Sequence, residues 1–195
     1  YLNSPIVKFV LNRHPPAIVH ETYYAPFRLA HRSTKTVITV HDMIHEKFRD
    51  SLPGADRMVR LKAQAVRRAD QVICVSENTK NDLTQHIDLD SSKIAVVYHG
   101  YLKTVSDPTG RNRIVSEPYI LYVGLRHYYK NFSRFLLAYG SDIRLTKDFM
   151  LVCLGGGRFS LQELCEIDRL RLPRDRVVQI DGGDDILSNL YSHAS

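Results

Sequence analysis

The chain has 195 residues, 44% of them hydrophobic and 25% charged, and carries a formal charge of +6. That length suits one large folded domain or two small ones. The longest apolar runs are strand-sized, which excludes a helical membrane span, and the opening residues lack a secretory-signal pattern.

Cys74, Cys153 and Cys165 are far apart and show no zinc-binding spacing, so no metal is expected. Cys74 and Cys153 sit in apolar, strand-like runs and read as buried free thiols of a reducing compartment. The positive charge favours anionic partners. Because the basic residues are spread out, without aromatic interleaving, nucleic acid is not an expected partner. A phosphate-bearing small molecule or a membrane surface fits better.

In chain order, residues 5–12 read as the end of a helix. "PPAIVHE" predicts a strand ending at His20, and "KTVITVHD" a second ending at His41. The stretch 55–69 places Val59, Ala63 and Val66 on one stripe of an amphipathic helix. "QVICVS" follows as a strand, with Ser76 as N-cap of the helix "ENTKNDLTQHI", and "KIAVVYHG" as a strand ending at His99. Residues 101–118 lack periodicity and read as a connection between domains. Then "YILYVG", "FMLVCLGGG" and "RVVQIDGG" predict strands, each followed by a helix: "NFSRFLLAYG", "SLQELCEIDRL" and "DILSNLYSH". Alternation at this spacing predicts an α/β fold with two Rossmann-like parallel sheets. Three strand–helix units after the connection are fewer than a doubly wound domain usually has. With Tyr1 in place of Met, this predicts an internal fragment with both domains incomplete.

Ligands of an open parallel sheet bind beyond the carboxyl ends of its strands. His20, His41 and His99 stand at such ends, and His41 with Asp42 is the pair for which a core has least use. His41 and His45 have H-x-x-x-H spacing, but the residues before them are strand-like, so a helical metal pair is not expected. Adjacent strand residues point apart, so His41 and Asp42 form no relay. In "YVGLRHYYKNF", Gly124 lets a ligand approach the backbone closely, and Arg126 and Lys130 add two cations beside a helix N-terminus. "LGGGRF" reads as a tight turn, and "DGGDD" as a turn whose Asp184 is a candidate base contact.

These segments resemble the family-four glycosyltransferases of GT-B architecture. "YILYVGLRHYYKNFSRFLLAYG" resembles the first strand, loop and helix of their donor domain. "AIVHETYYAP", "TVITVHDMIHEKF" and "ADQVICVSENTKNDL" resemble successive parts of the acceptor domain. The resemblance implies an acceptor part at 1–104, a linker at 105–118 and a donor part at 119–195. It also implies retaining transfer of a hexose from a nucleotide diphosphate sugar, without metal or cofactor. His41 matches the histidine set near the transferred sugar, and Arg126 and Lys130, with Gly124, match the diphosphate site. His20, Tyr24 and His99 are candidates to line the acceptor side. The loop is most similar to bacterial mannosyltransferases of surface polysaccharide synthesis, so GDP-mannose is the expected donor and a growing, lipid-linked glycan an expected acceptor. Work at the cytoplasmic face of a membrane, with peripheral contact, follows as an expectation. The family's Glu…Glu motif and N-terminal glycine-rich loop are missing, so this chain alone is expected to turn over little or no substrate. A nucleotide-sugar epimerase and a non-catalytic nucleotide-binding module are the alternatives.

Overall fold

The computed structural model describes residues 4–100 and 113–195. The chain divides into two compact units, Tyr1–Tyr101 and Leu102–Ser195, each holding its own all-parallel sheet. Of the expected linker, 105–112 lies outside the described residues.

In the first unit, α1 (Ser4–Arg13) precedes β1 (Ile18–Glu21), β2 (Lys35–Val40), α2 (Ile44–Lys47), α3 (Ala55–Arg68), β3 (Gln71–Cys74), α4 (Glu77–His86) and β4 (Ile94–Val96). The strands lie in the order β1-β2-β3-β4, with Val40 beside Cys74 at the carboxyl end. β2 buries Ile38, Thr39 and Val40 in succession. A strand covered on both faces has this continuous β-branched character. Ser76 caps α4 as expected, its hydroxyl accepting from the Thr79 N–H. On α3 the buried residues are Ala55, Lys62, Ala65 and Val66; of the predicted stripe Val66 is buried and Ala63 packs partly buried against the core, while Val59 does not belong to it. A 3–4 spacing through 55, 58, 62, 65 and 69 describes that face better, and the charge on Lys62 hid it.

Two predicted strand ends also shift. β1 runs one residue past His20, and β4 stops at Val96, three residues before His99.

The second unit contains β5 (Tyr119–Val123), α5 (Phe132–Ser141), α6 (Ile143–Asp148), β6 (Met150–Leu154), α7 (Leu161–Arg169), β7 (Val177–Ile180) and α8 (Asp184–His193). The six-residue α6, capped by Asp142, was not predicted. Strand β6 shows how its sequence is used. Leu151 and Cys153 pack into a core with Phe132, Leu136, Tyr139 and Ile167 of α5 and α7. Val152 and Leu154 point the other way, with Tyr119 and Leu190 of β5 and α8. Period-2 alternation between two covered faces makes every residue apolar. Cys74 and Cys153 are buried free thiols, and burial pushes them up to about 11 and about 12. Cys165 is exposed. Among the described residues no helix is long and apolar enough to cross a membrane.

Candidate functional site

The first unit brings two of the three predicted histidines together. His41 is the first residue past the tip of β2, and its exposed ring stacks on that of His99, with centroids 5.7 Å apart and planes 15° apart. Strands β2 and β4 flank β3, so the segments leaving them converge at the carboxyl edge. His20 stands apart from this pair. It lies within β1, and its Nε2 is 2.8 Å from the Thr39 hydroxyl. Tyr24, expected to line the acceptor side, is 4% exposed and belongs to the core. Burial, with Asp42 nearby, pushes its phenol above the usual tyrosine range.

Beneath His41 lies an ion pair that sequence reading missed. Lys62 is 1% exposed, and its Nζ donates to Glu46 Oε2 at 2.7 Å and to the Asp42 carbonyl at 2.8 Å. The Glu46 side chain is 4% exposed. A buried charge is costly unless paired and hydrogen-bonded. These two therefore fix the 42–46 segment to α3 wherever the pair forms. Asp42 is not a partner for His41. Its Oδ1 accepts from the Ile44 N–H at 3.0 Å and shapes the turn. The available signal was Lys62 itself, standing in the apolar stripe of α3.

The second unit places Gly124 just past β5 at φ +111, with open space where a side chain would be. Lys130 closes a 3-10 turn, Tyr128–Lys130. It is exposed, makes no ion pair among the described residues, and sets its ammonium over the Tyr129 ring at 5.2 Å. Asn131, in the left-handed region at φ 60, separates it from α5, whose first turn has no side-chain cap.

Arg126 departs from expectation. In place of an open fork for phosphate, it turns inward and its side chain is 3% exposed. Nε donates to Glu163 Oε1 at 2.7 Å, Nη1 to the Gly155 carbonyl at 2.6 Å, and Nη2 to the carbonyls of Gly157 and Arg158 at 2.8 and 3.1 Å. Its charge balances Glu163, and most of its N–H groups are taken by the turn after β6. That turn requires glycine. Gly155, Gly156 and Gly157 all have left-handed φ, +83, +73 and +70, where side chains are strained. A Cβ on Gly156 would lie 2.8 Å from Arg126 Nη1.

Glu163 in turn completes a capping box with Ser160 at the start of α7. Burial would raise its carboxyl, but the Ser160 N–H and Arg126 outweigh that, and it lies below the usual glutamate range. A cavity of about 480 Å³ opens beside this cluster, lined by Arg126, Arg158, Ser133 and Ser160 among others. Asp184 is exposed at the first turn of α8, after a turn in which a Cβ on Gly182 would meet Ile186 at 2.5 Å.

Two parallel-sheet units with polar side chains gathered at the carboxyl ends of their strands place the chain in the GT-B fold class. A family model described as Glycosyltransferase Family 4 matches residues 1–101, and the chain belongs to that family. No curated protein matches it. Among solved structures, a glycosyltransferase from Rickettsia africae is similar over 100% of this chain and 54% of its own, at 18% identity and a TM-score of 0.64. WaaG, a glycosyltransferase involved in lipopolysaccharide biosynthesis, is similar over 97% of this chain and 54% of its own, at 16% identity and a TM-score of 0.71. A putative UDP-N-acetylglucosamine 2-epimerase from Listeria monocytogenes covers 98% of this chain and 54% of its own, at 13% identity and a TM-score of 0.55. The chain spans roughly half the length of these structures, and at such identities they establish the fold.

Proposed function

We propose that this chain carries the acceptor-side and donor-side elements of a retaining glycosyltransferase. The reaction moves a hexose, mannose by preference, from a nucleotide diphosphate sugar such as GDP-mannose to a hydroxyl of a growing, lipid-linked glycan. Residues 1–104 serve the acceptor side, 105–118 connect, and 119–195 serve the donor. The single observation that carries this reading is the exposed His41–His99 pair, held past the tip of β2 on a segment anchored by Lys62.

Chemistry gives the groups their tasks. Breaking the bond between the anomeric carbon and the diphosphate builds positive character on the sugar and negative charge on the leaving oxygen. Lys130, an exposed cation past β5 with no ion pair among the described residues, meets that negative charge, and the uncapped start of α5 adds its partial positive charge. Gly124 lets the diphosphate lie against the backbone. With a lysine in this role the reading needs no metal. The acceptor hydroxyl passes its proton to the leaving phosphate, and its oxygen bonds to the anomeric carbon on the face that the phosphate left. His41 orients the sugar by hydrogen bond, and His99 fixes the His41 ring. Arg126 acts by shaping the turn that borders the donor cavity, and Asp184 is the base contact. The reading places this work at the cytoplasmic face of a membrane.

Product analysis with a protein of natural length tests this. A new glycosidic bond with retained configuration is the expected result, and His41→Ala should lower turnover about a hundredfold through lost positioning. An epimerised free nucleotide sugar would instead make the protein an epimerase. Nucleotide binding without any turnover would make it a binding module.

A further inference from the structure

A cavity of the first unit lies at the opposite end of its sheet from His41. This groove, of about 740 Å³, runs along the amino ends of the strands, past Lys35 of β2 and Gln71 of β3 to Lys93 before β4. Strand β2 is six residues long, which puts about 20 Å between the groove and the histidine pair. Six cations line it, Arg28, Arg32, Lys35, Arg67, Arg68 and Lys93, against one carboxylate, Asp70.

Half of that charge has a structural explanation. Lys35 pairs with Asp70 at 2.8 Å. Arg68 bonds Glu21 at 2.5 Å and the Ala25 carbonyl at 2.9 Å. Arg28 donates to the Thr34 carbonyl at 2.5 Å and lies 3.9 Å from Asp70. Arg32, Arg67 and Lys93 make no ion pair among the described residues. The last turn of α3 accounts for Arg67 near its carbonyls, but Arg32 and Lys93 lie off that helix. Among the described residues the buried Nε atoms of Arg28 and Arg68 lack a hydrogen-bond acceptor, while Oε1 of Glu21, the carboxylate that Arg68 bonds, lacks a donor. A second cavity, which also touches Arg28 and Arg32, extends the basic surface to Lys8 and His31.

We propose that this groove binds a ligand carrying more than one phosphate group, at a site separate from the one where His41 works. Three neighbouring strands at their usual spacing make its floor about 10 Å wide, which is more than a single phosphate fills. Guanidinium forks suit phosphate oxygens. The phosphates could belong to a free metabolite or to a lipid headgroup, since the chemistry that recognises them is shared.

The test uses the whole chain with two probes, tripolyphosphate by calorimetry and vesicles containing cardiolipin, whose headgroup carries two phosphates, by flotation, with phosphatidylcholine vesicles as control. Saturable binding to at least one probe is expected, and the probe that binds identifies the source of the phosphates. The triple variant Arg32→Ala, Arg67→Ala, Lys93→Ala should weaken that binding about tenfold or more, and Arg32→Glu alone should also weaken it. Among the described residues the three side chains make no ion pair to lose, so the melting temperature should drop only slightly, through Arg67 at the end of α3. Arg60→Ala, which removes an exposed cation of α3 that does not line the groove, should leave binding within about twofold, less than one charged contact would cost. The proposal is overturned if neither probe binds, if binding survives the triple variant, or if Arg60→Ala removes it.

Discussion

The two units solve one problem in different ways. Each carries a loop past the tip of a parallel strand, and each steadies it with a buried cation paired to a glutamate. In the first unit the cation, Lys62, comes from helix α3 and reaches up to Glu46 and the Asp42 carbonyl. His41, on the loop itself, stays exposed. In the second unit the cation, Arg126, belongs to the loop, and it reaches across to Glu163 and the turn after β6. A charge borrowed from a neighbour leaves the loop's own polar residues available for a ligand. A charge supplied by the loop is consumed in holding it.

That contrast can be broken first at Lys62. Replacing it with alanine strands Glu46 as a buried, uncompensated carboxylate, and removing one partner of such a pair costs about 3–5 kcal/mol. The expected result is a large drop in the first unit's denaturation midpoint, with amides of residues 41–47 losing protection in hydrogen exchange. An unchanged midpoint would mean that the pair does not fix the loop. Arg126→Lys comes next. Lysine keeps the charge but cannot span Glu163 and three carbonyls at once, and losing one or more charged hydrogen bonds costs about 1.5–3 kcal/mol. Diphosphate binding should fall less than with Lys130→Ala, because Lys130 is the exposed cation. If Arg126→Lys lowers nucleotide diphosphate affinity more than Lys130→Ala while stability holds, the arginine is a ligand after all. Gly156→Ala should destabilise the same turn by about 1–2 kcal/mol, since alanine is strained at φ +73 and its methyl group would press on the guanidinium. Its effect should shrink when Arg126 is also alanine, which a double-mutant cycle would detect.

The sequence showed the elements more readily than the burial of their charges. Strands such as "KTVITV" and "MLVCL" are legible because a strand covered on both faces leaves nothing for polar residues to do. His41 was legible for the converse reason, as a polar group delivered where the apolar run stops. Lys62 was hidden because helix reading treats a lysine as a solvent-side residue, whereas this one completes an apolar stripe and finds Glu46 sixteen positions away. Arg126 misled for a related reason. A basic residue in a glycine-flanked loop has the composition of a phosphate site, but its direction depends on a glutamate 37 residues later and on three carbonyls. Spacing along the chain carries period-2 and period-3.6 information. It does not carry which buried charge meets which. The short α2 and α6 were missed because four and six residues are too few to show a period.

The smallest effect separates the two arrangements most finely. Ser160 caps α7 while Glu163 bonds back to the Ser160 N–H. Glu163 therefore serves the helix with one oxygen and Arg126 with the other. In the first unit Glu46 has no such second duty, because α2 has no side-chain cap hydrogen bond. Ser160→Ala should cost about 1 kcal/mol as a cap. If Glu163 is held in place by the box, the loss must also loosen Arg126 and raise exchange at residues 155–158. If Arg126 alone holds Glu163, exchange should increase only in the first turn of α7. Measuring both segments in one hydrogen-exchange experiment decides whether the second unit's loop is held by the Arg126–Glu163 pair alone or by a chain of three groups.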